Sequence, residues 1–236
     1  MFEIFKNKSS DKSKNDNYFK HRILKTNIFK DKENGEDSIL FGCGCFWGAE
    51  KCFWKLPGVI TTSVGYSGGK TINPTYNEVC SGYTGHAEVV RVVWDKKIID
   101  ISDLLKMFWE CHDPTQKNRQ GNDCGTQYRS AIFFNDKSQE EIIINSQKAY
   151  QEALEKDNFG EIQTEIKILN KYFYAEEYHQ QYLASFGSRQ YCSASPTKIK
   201  LKDFENCNYK LKDDIWDNFN WEVDKCVLIS TNEPIK

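Results

Sequence analysis

The 236-residue sequence has no apolar run long enough to cross a bilayer, and its first residues lack the continuous apolar stretch of a signal peptide. It also lacks an excess of charge: the formal net charge is −2, whereas a nucleic-acid-binding protein needs a concentrated positive surface. Paired cysteines with the C-x₂₋₄-C spacing of zinc sites are absent as well. We therefore expect neither a membrane span, nor a nucleic-acid partner, nor a structural metal ion.

Cysteine, in contrast, is abundant. The nine cysteines form no compact framework, and an odd number in a chain of this length favours a reducing compartment with mostly free thiols. Together with the missing signals, this predicts a cytoplasmic protein. The basic segment at the beginning of the sequence leaves organellar targeting open.

Composition divides the chain into three parts. Residues 1–36 are polar and predict a mobile N-terminal extension, residues 37–195 have a globular texture, and residues 196–236 form a lysine- and asparagine-rich tail without glycine. Apolar periodicity predicts strands and helices that alternate around one sheet in two layers. The predicted strands cover 38–41, 59–66, 87–94, 131–134 and 164–169. The predicted helices cover 46–56, 101–111, 138–156, with Ser138 as N-cap, and 175–186.

The segment from residue 42 to 50, GCGCFWGAE, places Cys45 between a buried strand and a helix. The unpaired N–H groups and the dipole at a helix N-terminus favour negative charge, so this position predicts a stabilised, nucleophilic thiolate. The alternative is that Cys45 is a small buried apolar residue, which is the usual role of cysteine.

Two further segments carry candidate functional groups. If Glu88 shares a strand face with Val90, Val92 and Trp94, its carboxyl is buried and stays protonated, as a general acid must be; the opposite parity leaves it solvated. The loop 120–130 is rich in hydrogen-bonding side chains and glycine, and it is either a binding loop or a structural turn.

Two other function classes are compatible with these residues. A cysteine hydrolase would pair Cys45 with His86 or His112 as base. A metal- or redox-sensing module would use the thiols themselves, and Cys111 with His112 and Cys124 is the conceivable ligand set.

Several ordered motifs together carry a family resemblance. The sequence from about residue 38 to 192 resembles the peptide-methionine (S)-S-oxide reductase family, type A. The matching segments are 44–50 (GCFWGAE), 65–69 (GYSGG), 73–76 (NPTY), 84–88 (TGHAE), 108–114 (FWECHDP), 119–130, 172–176 (YFYAE) and 179–183 (HQQYL).

The resemblance implies an α+β fold, a two-layer sandwich with a mixed sheet and a ferredoxin-like core, to which the irregular N- and C-terminal extensions are added. It implies an oxidoreductase that reduces the S epimer of methionine sulfoxide, free or in proteins. Cys45 is then the nucleophile that attacks the sulfoxide sulfur and becomes a sulfenic acid. Phe46 and Trp47 form the apolar pocket for the S-methyl group.

The same resemblance assigns the polar groups. Glu88, Tyr76 and Tyr128 bind the sulfoxide oxygen, Glu88 protonates it, and Asp123 helps to hold the substrate backbone. No cofactor or metal is implied, and we expect a monomer. The substrates are oxidised proteins and small methyl sulfoxides.

Regeneration of the thiol is implied to pass through a disulfide. Cys192 matches the cysteine that attacks the sulfenic acid, and thioredoxin, or dithiothreitol in vitro, reduces the resulting disulfide. Because the sequence after Cys192 departs from the family pattern, Cys207 and Cys226 are both candidates for a second relay thiol. The remaining cysteines are expected to be spectators, although Cys43 is close enough in sequence to interfere or substitute: Cys43, Cys52, Cys80, Cys111 and Cys124.

Overall fold

The structure is a computed structural model that describes residues 20–223 and 226–236, with only the backbone of Cys226. Strands and helices alternate through most of the chain, as the apolar pattern predicts. The strands are β1 (Glu36–Cys43), β2 (Val59–Ser67), β3 (Ala87–Asp95), β4 (Arg119–Gln120), β5 (Asp123–Cys124), β6 (Ser130–Phe134), β7 (Glu165–Ile168) and β8 (Tyr172–Tyr174). The helices are α1 (Phe46–Trp54), α2 (Tyr76–Cys80), α3 (Ile101–Glu110), α4 (Ser138–Lys156), α5 (Asp213–Trp216) and α6 (Cys226–Ile229).

Six strands form one mixed sheet in the order β7-β6-β1-β3-β2-β8. The inner four, β6-β1-β3-β2, pair antiparallel, and α1 and α3 follow β1 and β3 in the chain. This is the βαββαβ order of a ferredoxin-like fold. Strand β7 adds parallel to β6, and β8 adds antiparallel to β2, so the sheet is mixed. The predicted α+β fold with a ferredoxin-like core is confirmed.

The two faces of the sheet bury different side chains. Along β1, Ile39 and Phe41 belong to the large cluster that also contains the apolar residues of α1 and α3, whereas Leu40 belongs to a smaller cluster on the other face. The alternation follows from the two-residue period of a strand. Because the helices cover the face of the large cluster, strand residues of that parity point towards α1.

Two local predictions differ from the structure. Lys137, not Ser138, is the N-cap of α4. The Ser138 N–H donates to the carboxylate of Asp136, the residue before the N-cap, at 2.8 Å. Residues 175–186 form no α-helix but two 3₁₀ turns. The reason is that Gln181 adopts a left-handed backbone (φ 48°) and the Gln180 side chain bonds the backbone N–H and C=O of Val64 in β2.

The described part of the N-terminal extension contacts the sheet through a buried histidine. His21 is fully buried, and its Nε2 lies 2.9 Å from Thr62 Oγ1 in β2. Its Nδ1 accepts the N–H groups of Ile23 and Leu24, which fixes Nε2 as the donor to Thr62. The buried His21 shows that a polar composition does not prevent part of this segment from packing on the sheet, and the mobility of the extension stays a prediction. Residues 1–19 of that prediction lie outside the described part.

The C-terminal tail wraps α1. Phe219 and Trp221 are buried in the large cluster, and their rings stack with centroids 5.6 Å apart. Further along, the Lys51 ammonium and the Trp54 indole of α1 donate to the backbone oxygens of Ser230 and Asn232. Across the described segments of the chain, helices of the length and apolarity needed to span a membrane are missing.

Candidate active site

Cys45 occupies the N-cap of α1, directly after the turn that ends β1. Gly44 makes this turn with φ of +85°, a conformation that side chains disfavour, and a Cβ there would lie 2.5 Å from Gln120 Cβ. The Gln120 amide in turn bonds Asp113 and Ser195. The turn therefore packs tightly against the loop 113–123. This packing positions Cys45 at the start of α1.

The Cys45 thiol is partly exposed, and its protonation differs from the sequence prediction. Burial of the sulfur raises its pKa well above the ordinary value, and the nearby Glu88 raises the pKa further. The backbone N–H of Trp47, at the start of α1, acts in the opposite direction but does not compensate. The raised pKa favours the neutral thiol over the predicted stabilised thiolate, because the effect of burial exceeds that of the helix terminus.

Glu88 lies on the helix-facing side of β3, beside Val90 and Val92, and is buried. Its Oε2 accepts the backbone N–H of Phe46 at 3.0 Å, which places the carboxyl at the first turn of α1. Burial raises the pKa of Glu88 to about 8, with a smaller contribution from Asp123. Glu88 is thus buried with the parity of the valines, and the solvated alternative does not hold. The raised pKa favours the protonated form of the carboxyl.

Aromatic rings surround the thiol. Trp47 stacks on Tyr182 with centroids 3.9 Å apart, and its indole N–H donates to His179 Nδ1 at 3.1 Å. Phe46 is buried, with its ring 5.1 Å from His179. Because the indole is held by both a stacked ring and a hydrogen bond, it forms a fixed apolar wall.

A cavity of about 370 Å³ joins these groups. Seven predicted site residues line it together: Cys45, Phe46, Trp47, Tyr76, Glu88, Asp123 and Tyr128. Burial raises the pKa of both tyrosines, so their hydroxyl groups are neutral donors. The Asp123 carboxylate already accepts the Tyr191 hydroxyl at 2.6 Å and that of Ser193.

The predicted relay cysteines are dispersed. Cys192 is buried against α1, where a Cβ on Gly48 would lie 2.6 Å from its Sγ, and it is close enough to raise the pKa of Cys45. Cys207 lies instead near the beginning of α3, because the next residue, Asn208, donates its N–H to Ser102. Helix α3 is roughly 15 Å long. The side chain of Cys226 lies outside the described residues.

The histidines proposed for a hydrolase or a metal site form hydrogen bonds with groups other than Cys45. His86 bonds the backbone of Gly69 and Thr71. The ring nitrogens of His112 lie 2.7 Å from the Phe108 carbonyl oxygen and 2.8 Å from Ser130 Oγ. Neither imidazole is placed as a base for Cys45, so the hydrolase alternative loses its support. Cys124 is exposed and remains outside the one buried group of metal-ligand type found among the described residues, Cys43, Cys111 and His112.

Sequence reasoning missed several residues of the site. Tyr182, Arg189 and Tyr191 line the cavity, and Glu176 accepts the Tyr66 hydroxyl at 2.9 Å and the Tyr76 N–H at 2.8 Å. The signal was present in the segments 172–176 and 179–183, which matched the family pattern without receiving a role. The missed residues follow the edge strand β8 in the chain.

The comparisons with known proteins agree with this geometry. The family profile described as peptide methionine sulfoxide reductase matches residues 37–212. The chain is 54% identical over 179 residues to peptide methionine sulfoxide reductase MsrA of Vibrio vulnificus, covering 76% of this chain and 85% of that protein. The MsrA protein of Brucella anthropi is 53% identical over 165 residues, covering 70% of this chain and 75% of its own length.

A solved structure, methionine sulfoxide reductase A of Corynebacterium diphtheriae, matches with a TM-score of 0.66 and 41% identity, and the match covers 78% of this chain and 89% of that one. Sequence, profile and fold therefore agree over the same body of the protein. The chain belongs to the peptide methionine sulfoxide reductase family.

Proposed function

We propose that the protein reduces the S epimer of methionine sulfoxide, free or within proteins, through a sulfenic acid on Cys45. The observation that supports this most is the cavity that Cys45 shares with Glu88, a buried carboxyl whose pKa is raised to about 8. A sulfoxide oxygen is a poor leaving group unless it is protonated. The site therefore combines the nucleophile and the acid that this reaction needs.

The proposed chemical step conserves protons. The sulfur of Cys45 attacks the sulfoxide sulfur while Glu88 donates its proton to the oxygen. The thiol proton passes to the Glu88 carboxylate. The hydroxyl then moves from the substrate sulfur to the Cys45 sulfur, so that the substrate S–O bond and the transient S–S bond both break. The products are methionine and the Cys45 sulfenic acid, and Glu88 is again protonated. All groups belong to the chain or the substrate, so no cofactor is proposed.

Selection of one epimer follows from fixing three substituents of sulfur in different directions. The proposed methyl pocket is the wall of Phe46 and Trp47, and the oxygen lies near Glu88 with the hydroxyl groups of Tyr76 and Tyr128 as neutral donors. The substrate backbone is held on the side of Asp123. When the opposite epimer binds with its methyl group and backbone in the same places, its oxygen and its sulfur lone pair exchange positions. The oxygen then lies away from Glu88, and attack by Cys45 is not productive.

Cys192 is the proposed resolving thiol, and thioredoxin the proposed reductant of the disulfide. Of the two candidates for a second relay, Cys226 is the one whose sequence neighbours lie beside Cys192. Val223 and Val227, its neighbours in sequence, line the cavity that Cys192 also lines, and α6 packs against α1. Cys207 is separated from this region by the length of α3.

The direct test is to incubate the reduced protein with each epimer of a blocked methionine sulfoxide and dithiothreitol, and to measure methionine. We expect consumption of the S epimer, none of the R epimer, and no reaction in Cys45→Ser. Cys124→Ser, an exposed thiol, serves as the matched control and should retain activity. Turnover that persists in Cys45→Ser, or an S epimer left unconsumed by the wild type, would contradict the proposal.

A further inference from the structure

A second cavity, of about 120 Å³, lies beside α1 and is lined by four cysteines: Cys43, Cys52, Cys111 and Cys192. All four are buried, and no disulfide joins them. Each comes from a different part of the chain: the end of β1, the middle of α1, the residue after α3 and the segment before the tail. Cys192 is the proposed resolving thiol, so the three inner thiols, Cys43, Cys52 and Cys111, share a wall with a group of the catalytic cycle.

Cys111 is the centre of this group. Its Sγ lies within 4.8 Å of Cys43 Sγ, and its side chain also hydrogen-bonds with that of Cys52. Cys52 lies one helical turn after Gly48, the residue on which the Cys192 sulfur rests. The sulfurs thus extend from the nucleophile side of α1 through Cys192 to Cys111.

We propose that the inner thiols are an internal acceptor of the oxidising equivalent from Cys192, with Cys111 as the attacking thiol and Cys43 or Cys52 as its final disulfide partner. The proposal rests on the proposed function, which supplies the oxidant. It gives a role to cysteines that the sequence treats as spectators.

The electrons and protons balance in three steps. First, the Cys45 sulfenic acid and the Cys192 thiol form a disulfide and release water. Next, Cys111 attacks the Cys192 sulfur, the bond to Cys45 breaks, and Cys45 receives the proton that Cys111 loses. Finally, Cys43 or Cys52 attacks Cys111, and Cys192 leaves as a thiol with the released proton. Two electrons have passed from the inner pair to the substrate, and both Cys45 and Cys192 are reduced again.

Burial keeps the inner thiols away from oxidants in solution. It also raises the pKa of Cys111 and Cys52, so attack by Cys111 requires that its proton pass to the departing Cys45 sulfur. A disulfide formed on Cys192 is delivered inside the same cavity, where effective concentrations of intramolecular groups are very high. The exposed Cys80 and Cys124 are outside this cavity.

The test counts methionine formed per chain, without reductant and without oxygen, in the double variant Cys207→Ser, Cys226→Ser. This background removes the other candidate relay thiols. Excess S sulfoxide should give two methionines per chain. The first turnover ends with the inner disulfide formed, and the second ends with the Cys45–Cys192 disulfide formed. Adding Cys111→Ala should reduce the count to one, whereas adding Cys124→Ala should leave it at two.

A count of one in the double variant, or of two after Cys111→Ala, would refute the acceptor role. A first methionine in Cys111→Ala shows that this variant folds and that the proposed reaction occurs, so a complete lack of methionine in every chain would instead reject the proposed function. Mass-spectrometric mapping after alkylation supplies the second measurement. It should find Cys111 linked to Cys43 or Cys52 in the double variant. An alkylated Cys111, which was therefore a free thiol, would overturn the proposal.

Discussion

Glu88 affects the protonation of Cys45, the residue next to it in the site. The carboxyl accepts the N–H of Phe46 and thereby uses a donor of the helix terminus that would otherwise favour a thiolate. Burial raises the pKa values of both groups, which favours a neutral thiol beside a neutral acid. The pair is arranged to exchange one proton with a substrate and not to hold a permanent charge.

The acid role of Glu88 predicts a defined pH dependence. Because the reactive form is the protonated one, the rate of the first methionine formed should fall as pH rises through about 8, the pKa of this carboxyl. Glu88→Gln should lower the rate by about 10²- to 10⁴-fold, the usual contribution of general acid catalysis, and should remove this pH dependence. Rapid-quench measurement of methionine in a single turnover gives both quantities.

Glu161→Gln, at an exposed carboxylate, is the control for the charge change and should leave the rate and its pH profile unaltered. A rate that rises through pH 8 in the wild type would mean that thiol ionisation limits the step, and the acid assignment to Glu88 would then fail.

Among the elements, α1 separates two thiol environments. Its first turn presents Cys45, Phe46 and Trp47 to the substrate cavity, and its next residues, Gly48 and Cys52, line the cavity of the inner thiols. Gly48 is valuable here because it has no side chain, which lets the Cys192 sulfur approach the helix backbone. A glycine within a helix costs about 1 kcal/mol relative to alanine, so the close approach has a cost in stability.

Gly48→Ala should therefore separate chemistry from resolution. The added Cβ would lie 2.6 Å from Cys192 Sγ, closer than atoms of this kind pack, so Cys192 must shift away from α1. We expect the first methionine to form in stoichiometric amount while disulfide formation slows, by about tenfold or more for a displacement on the order of 1 Å. Timed alkylation of free thiols after one turnover measures this rate.

Gly160→Ala is the matched control, because no atom lies within 4 Å of the Cβ it would add. Equal rates of disulfide formation in Gly48→Ala and the wild type would show that Cys192 reaches Cys45 from another direction.

In the whole molecule, the tail and the N-terminal segment hold the catalytic body from outside the sheet. The tail is attached at α3, where the Asp103 carboxylate accepts the N–H groups of Lys210 and Leu211, and again at α1 through Lys51 and Lys55. Between these points Trp221 closes the cavity of the inner thiols. The tail is therefore a structural cover for the relay region.

Trp221→Ala should loosen this cover. Truncating a buried tryptophan costs about 3–5 kcal/mol, and here we expect the loss to appear as local release of residues 213–236, because the sheet is formed without them. Limited proteolysis should cut the variant tail much faster than that of the wild type, while the first methionine still forms. Trp216→Ala, at a half-buried ring over Lys106, should show a smaller effect. Similar cleavage of the two variants would argue against a closing role for Trp221.

The placement of Cys45 and Glu88 was predictable because it depends on local sequence patterns. The turn around Cys45 follows from two glycines before a helical period, and the orientation of Glu88 follows from its parity with the valines of β3. The two 3₁₀ turns after Ala175 were not predictable, since the Gln180 side chain bonds β2, which precedes it by more than 100 residues. Propensity does not report such a distant partner.

The sequence by itself determined the alternation of strands and helices, the turn at Cys45 and the parity of Glu88, because strand parity and helical period are local properties. The order of its motifs carried the family resemblance, and the resemblance implied the ferredoxin-like core and the other side chains of the substrate cavity. Only the tertiary structure decided the protonation of Cys45, the packing of residues 20–36, and the grouping of Cys43, Cys52 and Cys111 beside Cys192. These depend on solvent exclusion and on contacts between segments far apart in the chain. Burial and long-range proximity arise only when the whole chain has folded.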